Sequence, residues 1–232
     1  MAEARLAMTK EGFYHNAEGY WKGIPATVDG MLGGFSDISG LDIAGSQKFL
    51  KQLYAQEKDK PKLFRALDCG AGIGRVSKHL LLQNYKFVDM LELNQAFLDE
   101  AKNSYLGESA ERVEKFICMG LQDFVPEPKR YDLIWCQWVL GHLNDEHLVR
   151  FLKRCKEGLT DGGMVCVKEN MTEKGLSFDE EDSSVTRSNR LFRRIFEKSG
   201  WTIVKEALQT NFPVTLYPVK MWALKWKDDP KK

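Results

Sequence analysis

An excess of charge of either sign is missing from this chain of 232 residues: 34 lysines and arginines stand against 33 aspartates and glutamates, a net charge of +1. Without a global field, neither nucleic acid nor an anionic membrane is expected as a partner, and charge selectivity must be local. Long apolar runs are missing too. No stretch reaches the roughly 20 residues that span a bilayer, and Met1 to Phe13 has no apolar core of the signal-peptide kind, so a soluble, intracellular protein is expected. Histidine is scarce, with 4, and the 5 cysteines show no C-x-x-C spacing, which leaves no expected metal site and argues for reduced, mostly buried thiols. Repeats and low-complexity tracts are absent.

What is present is a glycine loop. In Ala66-Leu-Asp-Cys-Gly-Ala-Gly-Ile-Gly-Arg75 an apolar run ends in an acid, and three glycines fall at every second position. Glycine at Gly70, Gly72 and Gly74 lets backbone turn sharply and press against a ligand where a strand gives way to a helix. The third glycine comes one residue earlier than in the dinucleotide pattern G-x-G-x-x-G. This variant resembles the first motif of class I S-adenosylmethionine-dependent methyltransferases.

From residue 62 onward, β-rich runs alternate with helical patterns, the signature of a parallel sheet covered by helices. The expected strands are 63–67, 87–91, 116–119, 131–136 and 164–168, with helices over 75–82, 94–105, 145–159 and 187–199. Runs 201–208 and 217–226 alternate and add a C-terminal antiparallel hairpin. The fold expected is therefore α/β and Rossmann-like: a seven-stranded, mostly parallel class I methyltransferase sheet with helices on both faces. A single domain over 1–232 is expected, with a helical extension at 1–60 and the core at 61–232. The extension reads either as a lid over a substrate or as helices covering the sheet edge. The charged Lys58-to-Lys62 run reads as a solvated linker.

Ligands of such sheets sit beyond the carboxyl ends of the strands. Gly70 to Gly74 would cradle the methionine part of the cofactor, and the planar guanidinium of Arg75 suits its carboxylate. Glu92, ending the second strand, is placed to bind ribose; Asp89, inside the strand, is the weaker candidate. Leu121 and Gln122 follow the third strand, where adenine would lie, and Gln137 follows the fourth. Trp138 and His142 stand four residues apart, on one side of a helical turn if one forms. Asp179 to Asp182 are four consecutive carboxylates: a solvated loop, or, beside the cofactor mouth, a preference for a cationic substrate.

The motifs together resemble the protein α-N-terminal methyltransferases, which act on proteins beginning X-Pro-Lys or X-Pro-Arg once the initiator Met is removed. The resemblance rests on Tyr20-Trp21, Thr27-Val-Asp-Gly-Met-Leu-Gly-Gly34, the loop at Asp68 to Arg75, Gly120-Leu-Gln-Asp-Phe124, Gln137-Trp-Val-Leu-Gly-His-Leu143 and Asp182-Ser-Ser-Val185. It implies that Gly70, Arg75, Glu92, Leu121, Gln122 and Gln137 hold S-adenosyl-L-methionine, leaving S-adenosyl-L-homocysteine as product. Trp21, Leu32 and Trp138 would line a peptide channel around the substrate proline, and Asn170 would bind peptide backbone. Asp179, Asp182 and Ser184 would receive the cationic third residue, with Asp182 and His142 assisting deprotonation of the amine. The extension becomes a lid on this reading, and cytoplasm and nucleus are the expected locations. Phe35 and Glu169 are local departures from the family pattern.

The chemistry is reasonable for these residues. An α-amine has a reference pKa of about 7.8 against about 10.4 for lysine, so freeing its lone pair near neutrality costs roughly 3.5 kcal/mol less. Carboxylates beside an ammonium nonetheless hold its proton. A positioned base, His142 or Asp182, resolves the conflict. A methyltransferase acting on a small cationic metabolite amine would share the cofactor half of this site, whereas a non-catalytic relative would show degraded cofactor motifs, and these are intact.

Overall fold

The computed structural model describes residues 7–8, 12–57 and 62–227. Five parallel strands form the centre of the sheet: β1 Arg65–Cys69, β2 Phe87–Glu92, β3 Val113–Cys118, β4 Tyr131–Gln137 and β5 Leu159–Thr172. Their order is β3-β2-β1-β4-β5, so the chain reverses its direction of growth between β1 and β4. That reversal opens a crevice at the carboxyl ends of the two strands, where sheets of this type bind ligands.

The remaining strands are β6 Leu176–Asp179, β7 Ser184–Ser188, β8 Trp201–Leu208 and β9 Val219–Trp226. β9 lies antiparallel between β5 and β8, with Leu224 opposite both Val165 and Ile203, and completes the expected seven-stranded sheet. β6 and β7 form a further antiparallel hairpin that the sequence pattern did not predict, joined to the end of β5 at Met171 and Thr172. Its turn, residues 180–183, carries most of the acidic run that read as a simple loop.

Helices cover both faces. They are α1 Phe13–Gly23, α2 Ser39–Tyr54, α3 at residues 75–84, α4 at 95–105, α5 Asp145–Gly158 and α6 Asn189–Lys198. β4 is buried along its whole length yet alternates between two cores. Ile134 and Cys136 pack with Phe151 and Leu152 of α5 and Phe192 and Phe196 of α6. Leu133 and Trp135 pack with Phe49, Leu50 and Leu53 of α2 and with Leu80 and Leu81 of α3. A central strand facing helices on both sides reads as a continuous apolar run for this reason. Asn94 and Asn144 accept hydrogen bonds from the amides of Ala96 and His147 and cap α4 and α5.

Two boundaries shift from expectation. β1 begins two residues late, leaving Leu63 and Phe64 exposed, because Asp68 and Cys69 stay in the buried strand; the Asp68 carboxylate accepts from the Ser77 hydroxyl at 2.6 Å. β3 begins at Val113 rather than 116. The charged run at 58–62 lies, save for Lys62, outside the described residues. Among the described residues no helix is long and apolar enough to cross a membrane.

The two parts of the extension are placed differently. α2 buries Phe49, Leu50 and Leu53 against the sheet, whereas α1 and the 27–35 segment stand over the crevice. The latter is a single helical turn, Val28–Met31, capped by the Thr27 hydroxyl and ended by Gly33 and Gly34 at positive φ.

Candidate active site

Gly70 and Gly72 have φ of +67° and +53°, in the left-handed region that favours glycine. A Cβ at Gly70 would stand 2.6 Å from the Val139 Cβ, and one at Gly72 2.5 Å from the Met31 Sδ. The Gly70 and Ala71 amides donate to the Leu91 carbonyl at 2.8 and 3.1 Å and tie the loop to the end of β2. There the Glu92 carboxylate accepts from the amides of Gly72 at 2.9 Å and Asn94 at 3.0 Å. Burial pushes the Glu92 carboxyl above its ordinary range, while the amides at Asn94, Gly72 and Leu93 act in the opposite sense. Asp89 is excluded as the ribose partner: its carboxylate is held by Arg130 at 2.6 Å and by the Tyr131 hydroxyl at 3.0 Å, away from the crevice.

Trp21, Gly70, Arg75, Glu92, Leu121, Gln122, Gln137, Trp138 and His142 line one cavity. Five other expected residues do not. Leu32 is buried outside the lining, and its neighbour Met31 takes that position. Asn170 sits in β5 opposite Val219 of β9, Asp179 ends β6 exposed to solvent, and Ser184 begins β7 beside Gly141. Asp182 lies in the turn between β6 and β7, from which its charge acts on His142.

Gln137 reaches the cavity, but its side chain works inward. Its Nε2 donates to both Asp42 carboxylate oxygens at 2.9 Å, and its Oε1 accepts from the Trp135 indole at 3.1 Å. Arg75 likewise contacts Asp42, at 2.8 Å, and its guanidinium lies 5.7 Å from the centre of the Trp138 ring. Asp42 escaped the reading of the sequence. Its signal was an acid on the apolar face of an amphipathic helix, in register with Ser46, Phe49, Leu50 and Leu53.

The segment 138–143 is gripped from two sides. Glu169 Oε1 accepts from the amides of Val139 at 2.9 Å and Leu140 at 2.8 Å. Arg187, fully buried, donates to the carbonyls of Leu140 at 3.0 Å and Leu143 at 2.6 Å and to the Asp145 carboxylate at 2.9 Å. This grip holds Trp138 at φ +52°, a conformation that costs a non-glycine residue energy and persists only where its surroundings impose it. It also places His142, whose Nε2 accepts a 3.0 Å hydrogen bond from the Trp21 indole. Burial lowers the His142 pKa, against the opposing pull of Asp182 and the Ser183 backbone.

Among the described residues, five buried side-chain polar atoms have no partner, and three of them belong to this region: Trp138 Nε1 and His142 Nδ1, on residues that line the cavity, and Asp182 Oδ1, on the residue whose charge acts on His142. Unmade hydrogen bonds of this kind are costly in a folded core and mark a place where a ligand supplies the partner. The glycine cradle, the paired amides on Glu92 and the guanidinium of Arg75 suit a ligand with a ribose and a carboxylate. Among the described residues no cluster could hold a metal ion.

Residues 9–225 match the model of a family described as AdoMet-dependent proline di-methyltransferases. The chain belongs to this family. The N-terminal Xaa-Pro-Lys N-methyltransferase 1 of Danio rerio is 50% identical over 220 residues, covering 95% of this chain and 98% of that protein. The Homo sapiens protein of the same name is 48% identical over 213 residues, 92% of this chain and 95% of its own length. A solved SAM-dependent methyltransferase from Leishmania major superposes with a TM-score of 0.85 at 42% identity, covering 95% of this chain and 86% of that one. As a member of the AdoMet-dependent family this chain is an enzyme with S-adenosylmethionine as its cofactor, and the residues of the crevice fit that molecule.

Proposed function

We infer that this methyltransferase acts on the free α-amino group of proteins beginning X-Pro-Lys or X-Pro-Arg, exposed after removal of the initiator Met. The observation that carries the reading is that Trp138 and His142, which line the cofactor cavity, and Asp182, whose charge acts on His142, each bear a buried polar atom without a partner. Bound S-adenosylmethionine supplies an electrophilic methyl group on a sulfonium. The chain's own residues must bind the amine, orient its lone pair and take its proton while water is excluded.

Trp21 and Trp138 supply the flat apolar walls suited to a proline ring. Asp179 and Asp182 flank the turn that would meet a cationic third residue, with Ser184 beside it and Asn170 on the adjoining strand. The proton goes to Asp182. His142 cannot accept it while its Nε2 lone pair holds the Trp21 indole, and in that neutral tautomer its Nδ1 bears hydrogen. Asp182 Oδ1 is the free acceptor, reached directly or through one water. The extension over 1–60 acts as a lid on the core at 61–232, the two forming one domain. The enzyme works in cytoplasm and nucleus, on protein rather than nucleic acid or membrane.

Incubation with labelled S-adenosylmethionine and an Ala-Pro-Lys or Ser-Pro-Lys peptide, beside the same peptide acetylated at its amino terminus, tests this reading. Label on the free peptide alone is expected. Equal label on both, or none, overturns it, and transfer to a small cationic amine instead would move the enzyme to a metabolite substrate.

A further inference from the structure

The carboxylate-binding end of the cavity rests on charges that do not line it. Asp42 on α2 is fully buried, with Arg75 Nη1 at 2.8 Å from its Oδ2 and Lys168 Nζ, from β5, at 2.5 Å from its Oδ1. Lys168 Nζ also meets the Asp42 carbonyl at 2.9 Å, the Ser46 hydroxyl at 2.9 Å and Gln209 Oε1 at 2.8 Å. Burial lowers the Lys168 pKa and the Asp42 carboxylate opposes that; with the Ser46 hydroxyl donating to the Asp42 carbonyl at 3.1 Å, Lys168 meets acceptors alone, an arrangement that suits the ammonium form.

Two cations therefore share one carboxylate, with Asp42 and Lys168 0% exposed and Arg75 5%. One positive charge is left over. Asp68, the other acid that acts on Arg75, is bound to Ser77, and burial pushes it up to about 7, so it offsets the surplus only in part. A surplus charge out of water is costly until a counter-ion arrives.

We propose that Asp42 and Lys168 are positioning residues for the cofactor's carboxylate: Asp42 holds Arg75 in place, and Lys168 neutralises Asp42 so that Arg75 keeps its charge for the incoming anion. This rests on reading Arg75 as the partner of that carboxylate. It makes α2, part of the N-terminal extension, a component of the cofactor site as well as a cover for the sheet. It also gives Gln137 its task, since both of its bonds to Asp42 fix the carboxylate that Arg75 and Lys168 share.

Calorimetry on the full chain separates this role from a merely structural one. S-adenosylhomocysteine carries the carboxylate, whereas 5′-methylthioadenosine shares its nucleoside end and lacks it. Lys168→Met is expected to weaken S-adenosylhomocysteine about tenfold, the scale of one partly screened charge, and to leave 5′-methylthioadenosine unchanged. The double variant Asp42→Asn with Lys168→Met removes one charge of each sign and restores the surplus, while Asn leaves Arg75 a weaker hold, so its preference for S-adenosylhomocysteine recovers part of what Lys168→Met loses. Equal losses for both ligands in Lys168→Met, or no loss, would overturn the proposal. Should that variant not fold, Lys168→Gln takes its place with the same expectation, and equal losses for both ligands, or no loss, are equally fatal there. An unaltered chain that binds S-adenosylhomocysteine no better than 5′-methylthioadenosine would remove the role of Arg75, and the proposal with it.

Discussion

The Trp21 indole donates to His142 Nε2 at 3.0 Å, joining α1 of the extension to the segment that follows β4. The bond exists only while Nε2 is unprotonated, so the placement of α1 and the ionisation of the histidine are linked. Burial lowers the His142 pKa in the same direction. Trp21→Phe keeps the ring and removes the donor. The His142 pKa should rise, since a bond available only to the unprotonated nitrogen has been lost. Titration of the His142 ring protons by NMR checks this, and an unmoved midpoint would show that burial alone sets the value.

Glu92 holds the amides of Gly72 and Asn94 and faces the cavity, whereas Asp89 is spent on Arg130 and Tyr131. Glu92→Gln keeps the length of the side chain but loses the charge that strengthens hydrogen bonds from ribose hydroxyls. A loss of about 1.5 to 3 kcal/mol in cofactor binding is expected, roughly tenfold to a hundredfold in Kd. Asp89→Asn should leave that Kd unchanged while lowering thermal stability. Calorimetry with S-adenosylhomocysteine reads the first, and the reverse pattern would move the ribose contact to Asp89.

Glu169 offers a pH-dependent test of the grip on residues 138–143. Both backbone amides go to Oε1, which leaves Oε2 able to carry a proton, and burial pushes the carboxyl up to about 7 from an ordinary value of 4.5. An acid whose folded pKa is raised contributes stability that is complete below the unfolded value and is lost as pH rises through the folded one. Here that window runs from about 4.5 to about 7. Glu169→Gln imitates the protonated acid and does not titrate. Relative to the unaltered chain, the variant should gain about 1 to 3 kcal/mol in stability between pH 5 and pH 8. Thermal melts across that range check it, and parallel curves would mean that Glu169 stays ionised.

The cofactor half of the site was legible because its chemistry is local. A glycine loop, an acid ending β2 and residues ending β3 and β4 occupy fixed places relative to their strands, and Gly70, Arg75, Glu92, Leu121, Gln122 and Gln137 all line the cavity. The acceptor half was legible only through family resemblance, since Asp182 and Ser184 gain their meaning from the β6–β7 hairpin, whose short strands give too little alternation to announce themselves. Residues that act by burial were least visible. Asp42, Lys168, Glu169 and Arg187 are charged, and sequence patterns assign charge to the surface; each is buried because a partner far along the chain neutralises it or shares hydrogen bonds with it. Leu32 and Met31 show a finer limit, for the register of a single helical turn decides which of the two faces the glycine loop.

Asp182 and Asp179 stand at the two sides of the acidic turn and separate binding from catalysis. Asp179 is exposed at the end of β6, whereas Asp182 is partly buried, with Oδ1 unpartnered and its charge acting on His142. An exposed carboxylate attracts a cation without touching the reacting atoms, so Asp179→Asn should raise the peptide KM a few-fold and leave kcat near its original value. Asp182→Asn keeps an acceptor oxygen but removes the carboxylate that can take a proton beside His142, and should lower kcat on the order of a hundredfold or more, the scale of general-base catalysis. Raising the pH should recover part of that loss, because an amine already unprotonated in solution no longer needs the base. Steady-state kinetics at saturating peptide between pH 7 and pH 9 check both variants. Near-normal kcat in Asp182→Asn would return the proton to His142, and the Trp21 bond would then have to open in each turnover.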